Sequence, residues 1–91
     1  MTGKERAELR KEANTLQAIF QIGKDGLTVP LLQGIDAALT KRELVKLTVL
    51  ETCPETPRDC GSRMAEVLEA EVIQSIGRKV VLYRKAPEEE K

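Results

Sequence analysis

The sequence predicts an α/β (α+β) fold: a helix followed by a βαβαββ core, in which a mixed four-stranded sheet packs against three helices. Three observations carry this. Segments with helical apolar spacing alternate with short apolar runs of strand length. A Gly-Lys-Asp-Gly stretch, Gly23 to Gly26, separates one such run from a well-capped helix. Near the end, two apolar runs are separated by a short turn at Gly77-Arg78, which makes them an antiparallel hairpin. At 91 residues the chain has room for one small core and not for two.

The elements follow in order. Thr2 with Glu5 three positions later is a capping box, and Leu9, Ala13 and Leu16 recur at helical spacing, so a helix is expected from Gly3 to about Asn14. Ala18 to Ile22 is a short apolar run ending at Gly23 and reads as a buried strand. Thr28 is a good N-cap, and Pro30 fits a first helical turn, where its missing N–H costs little. Leu31, Leu32, Ile35, Ala38 and Leu39 then form one stripe of a second helix running to about Lys41. Leu44 to Leu50 alternates as a strand, with Val45, Leu47 and Val49 on one face. Glu51 to Gly61, with Pro54 and Pro57, reads as a long irregular connection. A third helix is expected over Ser62 to Leu68, with Met64, Val67 and Leu68 inward. No Gly or Asn follows to end it. Val72 to Ile76 and Val80 to Tyr83 are the hairpin strands, and Gly first in the connection suits a type II′ turn. The strand–helix–strand unit makes the first two strands parallel, with a right-handed crossover.

Composition narrows the function. No apolar run reaches the roughly 20 residues that span a bilayer. The opening Met-Thr-Gly-Lys-Glu-Arg lacks the apolar core of a secretory signal, so the expected address is the cytoplasm. There is no histidine, hence neither the commonest general acid/base nor the commonest neutral metal ligand. Cys53 and Cys60, separated by six residues, cannot complete a four-ligand zinc site. The spacing allows a disulfide, but a reducing compartment favours two unpaired loop thiols. Net charge is zero, and residues 1–85 carry 14 bases against 12 acids, so binding to a polyanion must rest on a local patch.

Two features bear on such binding. Gly23 and Gly26 bracket two polar residues before a capped helix. Glycines allow close backbone approach, and a helix start favours a phosphate. Lys24 adds a charge. This is the logic of the KH-domain GXXG loop, although on the motif alone an ordinary strand-to-helix turn is the better account of so short a pattern. The spacing fits neither a Walker A loop nor a dinucleotide fingerprint. The second feature is basic: Lys4, Arg6, Arg10 and Lys11 near one terminus, and Arg78, Lys79, Arg84 and Lys85 near the other, with Glu5, Glu8 and Glu12 interleaved among the first group. Taken alone these suit a solvated surface. Phe20 and Tyr83 are the only aromatic side chains, too few for a base-stacking platform.

Three stretches together are more specific. Thr2-Gly3-Lys4-Glu5-Arg6-Ala7-Glu8-Leu9-Arg10, then Gln21-Ile22-Gly23-Lys24-Asp25-Gly26-Leu27-Thr28, then Ile76-Gly77-Arg78-Lys79-Val80-Val81-Leu82-Tyr83-Arg84 resemble, in this order, the CRM domain, and more narrowly its stand-alone bacterial YhbY-like members. The resemblance covers residues 1–85 as a single domain and leaves 86–91 as an acidic, disordered tail. It implies a core similar to the C-terminal domain of translation initiation factor three, RNA binding, and a role in maturation of the large ribosomal subunit. Carried onto this chain, it implies an RNA-contacting loop of Gly23, Lys24, Asp25 and Gly26, supported by Lys4, Arg6, Arg10, Arg78 and Arg84. The chain departs from the family pattern at Asp25, where an uncharged residue is common. It departs again over Thr52 to Gly61, with two prolines and two cysteines, and at Glu69, where a glycine often ends the third helix. The expectation is a monomeric, cofactor-free RNA-binding protein, neither membrane-bound nor an enzyme. The neutral net charge keeps open a protein-interaction module as the alternative.

Overall fold

The computed structural model describes residues 2–85, and the acidic tail expected over 86–91 lies outside them. The elements are α1 (Gly3–Ala13), β1 (Phe20–Ile22), α2 (Val29–Arg42), β2 (Leu44–Val49), α3 (Pro57–Leu68), β3 (Glu71–Ile76) and β4 (Lys79–Tyr83). Each helix begins on a threonine whose hydroxyl accepts an orphan N–H of the first turn: Thr2 from Glu5, Thr28 from Leu31 and Thr56 from Asp59. At α1 the capping box closes, because the Glu5 carboxylate accepts the Thr2 N–H at 2.9 Å.

The strands form one mixed sheet in the order β1-β2-β4-β3. β1 and β2 are parallel, as the α2 crossover requires, whereas β2–β4 and β4–β3 are antiparallel. The hairpin turns on Gly77 at φ +58°, a left-handed conformation that costs glycine little, and Arg78 is not left-handed. That combination is what a type II′ turn needs. A bulge between Val72 and Gln74 sets two residues of β3 against Val81.

Alternation along the strands divides the core between the two faces. On one face Ile22, Val45, Leu47, Val49, Val80 and Leu82 pack against α2 and α3. On the other, Leu44, Ile73 and Val81 meet Ala13 of α1, with Leu9, Leu16 and Tyr83 around them. Helices therefore cover both faces, α1 alone on the second.

Four expectations are corrected. α3 starts at Pro57 rather than Ser62: Thr56 caps it and Pro57 occupies its first turn, so the end of the supposed loop is helix. The earlier start makes Cys60, Gly61, Met64 and Leu68 the inward stripe, at spacings of three and four, and leaves Val67 55% exposed. Cys60 is consequently not a loop thiol. It lies in the helix, fully buried, and Cys53 is buried beside it; both are free. β1 is also shorter than expected and begins at Phe20, although the Ile19 N–H already donates to the Lys46 carbonyl at 3.0 Å. α3 ends without a glycine because Glu69 itself takes the left-handed conformation, φ 55° and ψ 46°, and its N–H donates to the Ala65 carbonyl.

Candidate nucleic-acid interface

Strand directions decide which residues share an end of the sheet. β1 and β2 both finish where β4 begins, and both α2 and α3 start there. At this end the Leu50 N–H donates to the Ile22 carbonyl at 2.9 Å, and the Val49 N–H donates to the Arg78 carbonyl at 2.8 Å. The Gly23–Gly26 loop, the segment after β2 and the Gly77-Arg78 hairpin therefore stand side by side.

The loop is a tight turn. The Gly26 N–H donates to the Gly23 carbonyl at 2.9 Å, which places Lys24 and Asp25 at the two corners, both exposed. Gly26 has φ +67°, and this conformation, not crowding, is its constraint: a methyl there would meet Pro54 at an ordinary 3.7 Å. The helix start behind the loop is sparser in donors than the sequence suggests. Pro30 has no N–H and Leu31 gives its own to the Thr28 hydroxyl, so neither offers a first-turn donor to a ligand. The side chains of Lys24 and Arg78 are exposed, whereas Arg6, Arg63 and Arg84 are engaged in ion pairs.

The other site residues expected from sequence lie elsewhere. Arg84 follows β4 at the opposite end of the sheet. Its guanidinium donates to the Leu68 carbonyl (2.9 Å), the Asp36 carboxylate (2.7 Å) and carbonyl (2.8 Å), and the Thr40 hydroxyl (2.8 Å). With its side chain 19% exposed, it is a clamp between α2, α3 and β4. Arg6 is tied to β3, donating to the Val72 carbonyl at 3.0 Å and pairing with Glu71 at 3.4 Å. Lys4 and Arg10 are exposed on α1. Glu5, Glu8 and Glu12 of the same helix line a shallow groove with Leu9, Tyr83 and Lys85. The groove is acidic in character. The Glu5 carboxyl is held below its usual range by the Thr2 backbone N–H and hydroxyl. The Tyr83 hydroxyl is pushed up by burial and then by Glu43, Glu5 and Glu71.

Sequence reasoning passed over one feature. Register aligns Gln21 with Thr48, Thr48 with Lys79 and Lys79 with Ile76, a row across all four strands just behind the loop. The signal was the polar half of the alternation, Lys46 and Thr48 between the inward Val45, Leu47 and Val49.

Comparison with known proteins fixes the family. The chain belongs to the CRS1 / YhbY (CRM) domain family, whose model matches residues 1–84. It is 36% identical over 88 residues to "Probable RNA-binding protein YqeI" of Bacillus subtilis, covering 97% of this chain and 92% of that protein. It is 32% identical over 88 residues to a Haemophilus influenzae protein named "RNA-binding protein", covering 97% and 89% respectively. The solution structure of SAV1595 from Staphylococcus aureus superposes with a TM-score of 0.81 at 34% identity, over 99% of this chain and 94% of that one.

Proposed function

We propose that this protein binds RNA and acts in ribosome assembly, contacting precursor large-subunit rRNA through the Gly23–Gly26 loop. The observation that carries the reading is the loop itself: Lys24 stands at a tight turn at the same end of the sheet as Arg78, both exposed, where α2 presents its positive dipole. Relatives named as RNA-binding proteins support RNA as the partner. The ribosomal assignment rests on the likeness of the three motifs to YhbY-like proteins. The contact set is Gly23, Lys24, Asp25 and Gly26 with Arg78, while Lys4 and Arg10 sit on the face that α1 covers. Asp25 works against phosphate contact and moderates affinity. Few aromatics and a handful of cations make a reader of backbone and shape, with no chemical step and no cofactor, working as a monomer in the cytoplasm. No helix of the described residues is long and apolar enough to cross a membrane.

The test is sedimentation of a cell lysate on a gradient, with the protein followed by antibody. Co-migration with large-subunit precursors, lost in Lys24→Glu, is the expected result. A protein that stays at the top of the gradient under low salt would overturn the ribosomal reading.

A further inference from the structure

Behind the loop, the sheet face that carries α1 is open. α1 ends above Lys46, whose ammonium donates to the carbonyls of Ala13 (3.4 Å) and Leu16 (3.3 Å). One step nearer the loop, the row Gln21, Thr48, Lys79 and Ile76 crosses every strand, with all but the half-buried Thr48 exposed. Lys79 is the row's ionisable group, fixed over the sheet by donating to the Thr48 hydroxyl at 2.9 Å. Lys24 beyond β1 and Arg78 beyond β4 extend its positive charge at both sides, and no carboxylate stands in the row. Ile76, 63% exposed on edge strand β3, gives it one apolar end.

We propose that this row is a second RNA contact, over which one RNA strand crosses the sheet between the loop and the hairpin; the inference rests on the RNA-binding reading above. Three strand spacings make the row about 14 Å wide, enough for a short single-stranded segment. Phosphates pair with Lys24, Lys79 and Arg78 by charge. Gln21 and Thr48 supply the donors and acceptors that a ribose 2′-hydroxyl matches, the group that separates RNA from DNA. Ile76 packs against a sugar or base face. Charge complementarity selects a polyanion over a protein partner, for which the row offers a single apolar side chain. The row carries no aromatic residue, so selectivity there is for ribose over deoxyribose rather than for sequence.

The experiment measures binding of single-stranded oligouridine and oligodeoxyuridine of equal length, across a salt series, to the wild type and to Lys24→Glu, Lys79→Gln and Gln21→Leu. Circular dichroism confirms that each variant is folded. The expected result is a wild-type preference for RNA, and a Lys79→Gln variant about threefold to tenfold weaker, with the log–log salt slope reduced by about 0.7 for one lost phosphate contact. Gln21→Leu should lose affinity for the RNA strand and little for the DNA strand. If Lys24→Glu abolishes binding while Lys79→Gln and Gln21→Leu match the wild type, the row is not a contact and the loop reading stands. If the wild type binds neither strand nor structured RNA at low salt, both readings fail.

Discussion

Replacing Arg84 separates a structural cation from an RNA-contacting one. Its guanidinium makes four hydrogen bonds to three residues on two helices, one of them to the Leu68 carbonyl at the last residue of α3. A hydrogen bond from a charged donor contributes about 1.5–3 kcal/mol when buried, but an ion pair to a half-exposed carboxylate such as Asp36 adds at most about 1 kcal/mol. Because most of these bonds are partly solvated, Arg84→Ala should cost about 2–3 kcal/mol in all. Arg84→Lys keeps the charge but not the planar fork, so it recovers one or two bonds and costs about 1–2 kcal/mol. At about 4–8 °C per kcal/mol for a domain of this size, the lysine variant melts roughly 5–15 °C lower. Urea unfolding should show a lower midpoint with an unchanged slope. RNA affinity, measured well below the melting temperature, should match the wild type, because the proposed contacts lie at the far end of the sheet. A lysine variant of wild-type stability and impaired RNA binding would refute the clamp and return Arg84 to the interface.

Three other outcomes are expected. Lys24→Glu should weaken binding of structured RNA about tenfold or more while Lys41→Glu, a reversal near the other end of α2, changes it less than about twofold; equal losses in a filter-binding assay would mean that bulk charge alone matters. Glu69→Gly should raise the melting temperature, since a left-handed L-residue costs about 1–2 kcal/mol and glycine returns about 0.5–1 kcal/mol of that through its freer unfolded chain; an unchanged or lowered melting temperature would show that Glu69 is not strained. The Cys60 thiol is pushed from 9.0 up to about 12 by burial and then by Cys53, so the folded state holds a proton that the unfolded chain releases. By linkage this stability is fully present below pH 9.0 and is lost as the pH rises towards about 12. Urea midpoints on either side of that onset should fall in the wild type and fall less in Cys60→Val, and thiol reagents should label Cys60 in urea but not in the native protein.

The order of elements was legible because it needs only local signals: threonine caps, a glycine turn, and the switch between periods of two and near four. The α3 boundary shows where that reading failed. Pro54 and Pro57 were read together as loop punctuation, although Thr56-Pro57 is also a cap followed by a first-turn proline. Choosing between these depends on whether Cys60 and Gly61 have something to pack on, and that is Val80 of β4: a methyl on Gly61 would stand 3.1 Å from the Val80 Cγ1. Burial set by a strand some twenty residues away cannot be read from the segment itself. The site divided in the same way. The loop was visible as a pattern, whereas the fate of each arginine depended on strand direction: Arg78 and Arg84 are six apart yet lie at opposite ends of β4.

A neutral chain can hold a polyanion only if its charges are sorted in space, and here the fold sorts them. At the α1 end, Arg84 and Arg6 are consumed by Asp36, Glu71 and backbone carbonyls, and Lys46 by the end of α1. Glu5, Glu8 and Glu12 are left lining the groove beside Tyr83. At the loop end, Lys24, Arg78 and Lys79 stay exposed, with Asp25 and Glu51 as exposed carboxylates near them, and the helix starts of α2 and α3 add positive dipole ends. With a Debye length of about 10 Å, a strand at the loop end meets the second set and is screened from the first, which stands a strand length away, roughly 20 Å at about 3.3 Å per residue. Net charge is therefore a poor guide to the partner of this protein. A better one is which cations the fold has already spent, a count that separates Lys24 and Arg78 from Arg6 and Arg84 although the sequence presents all four alike.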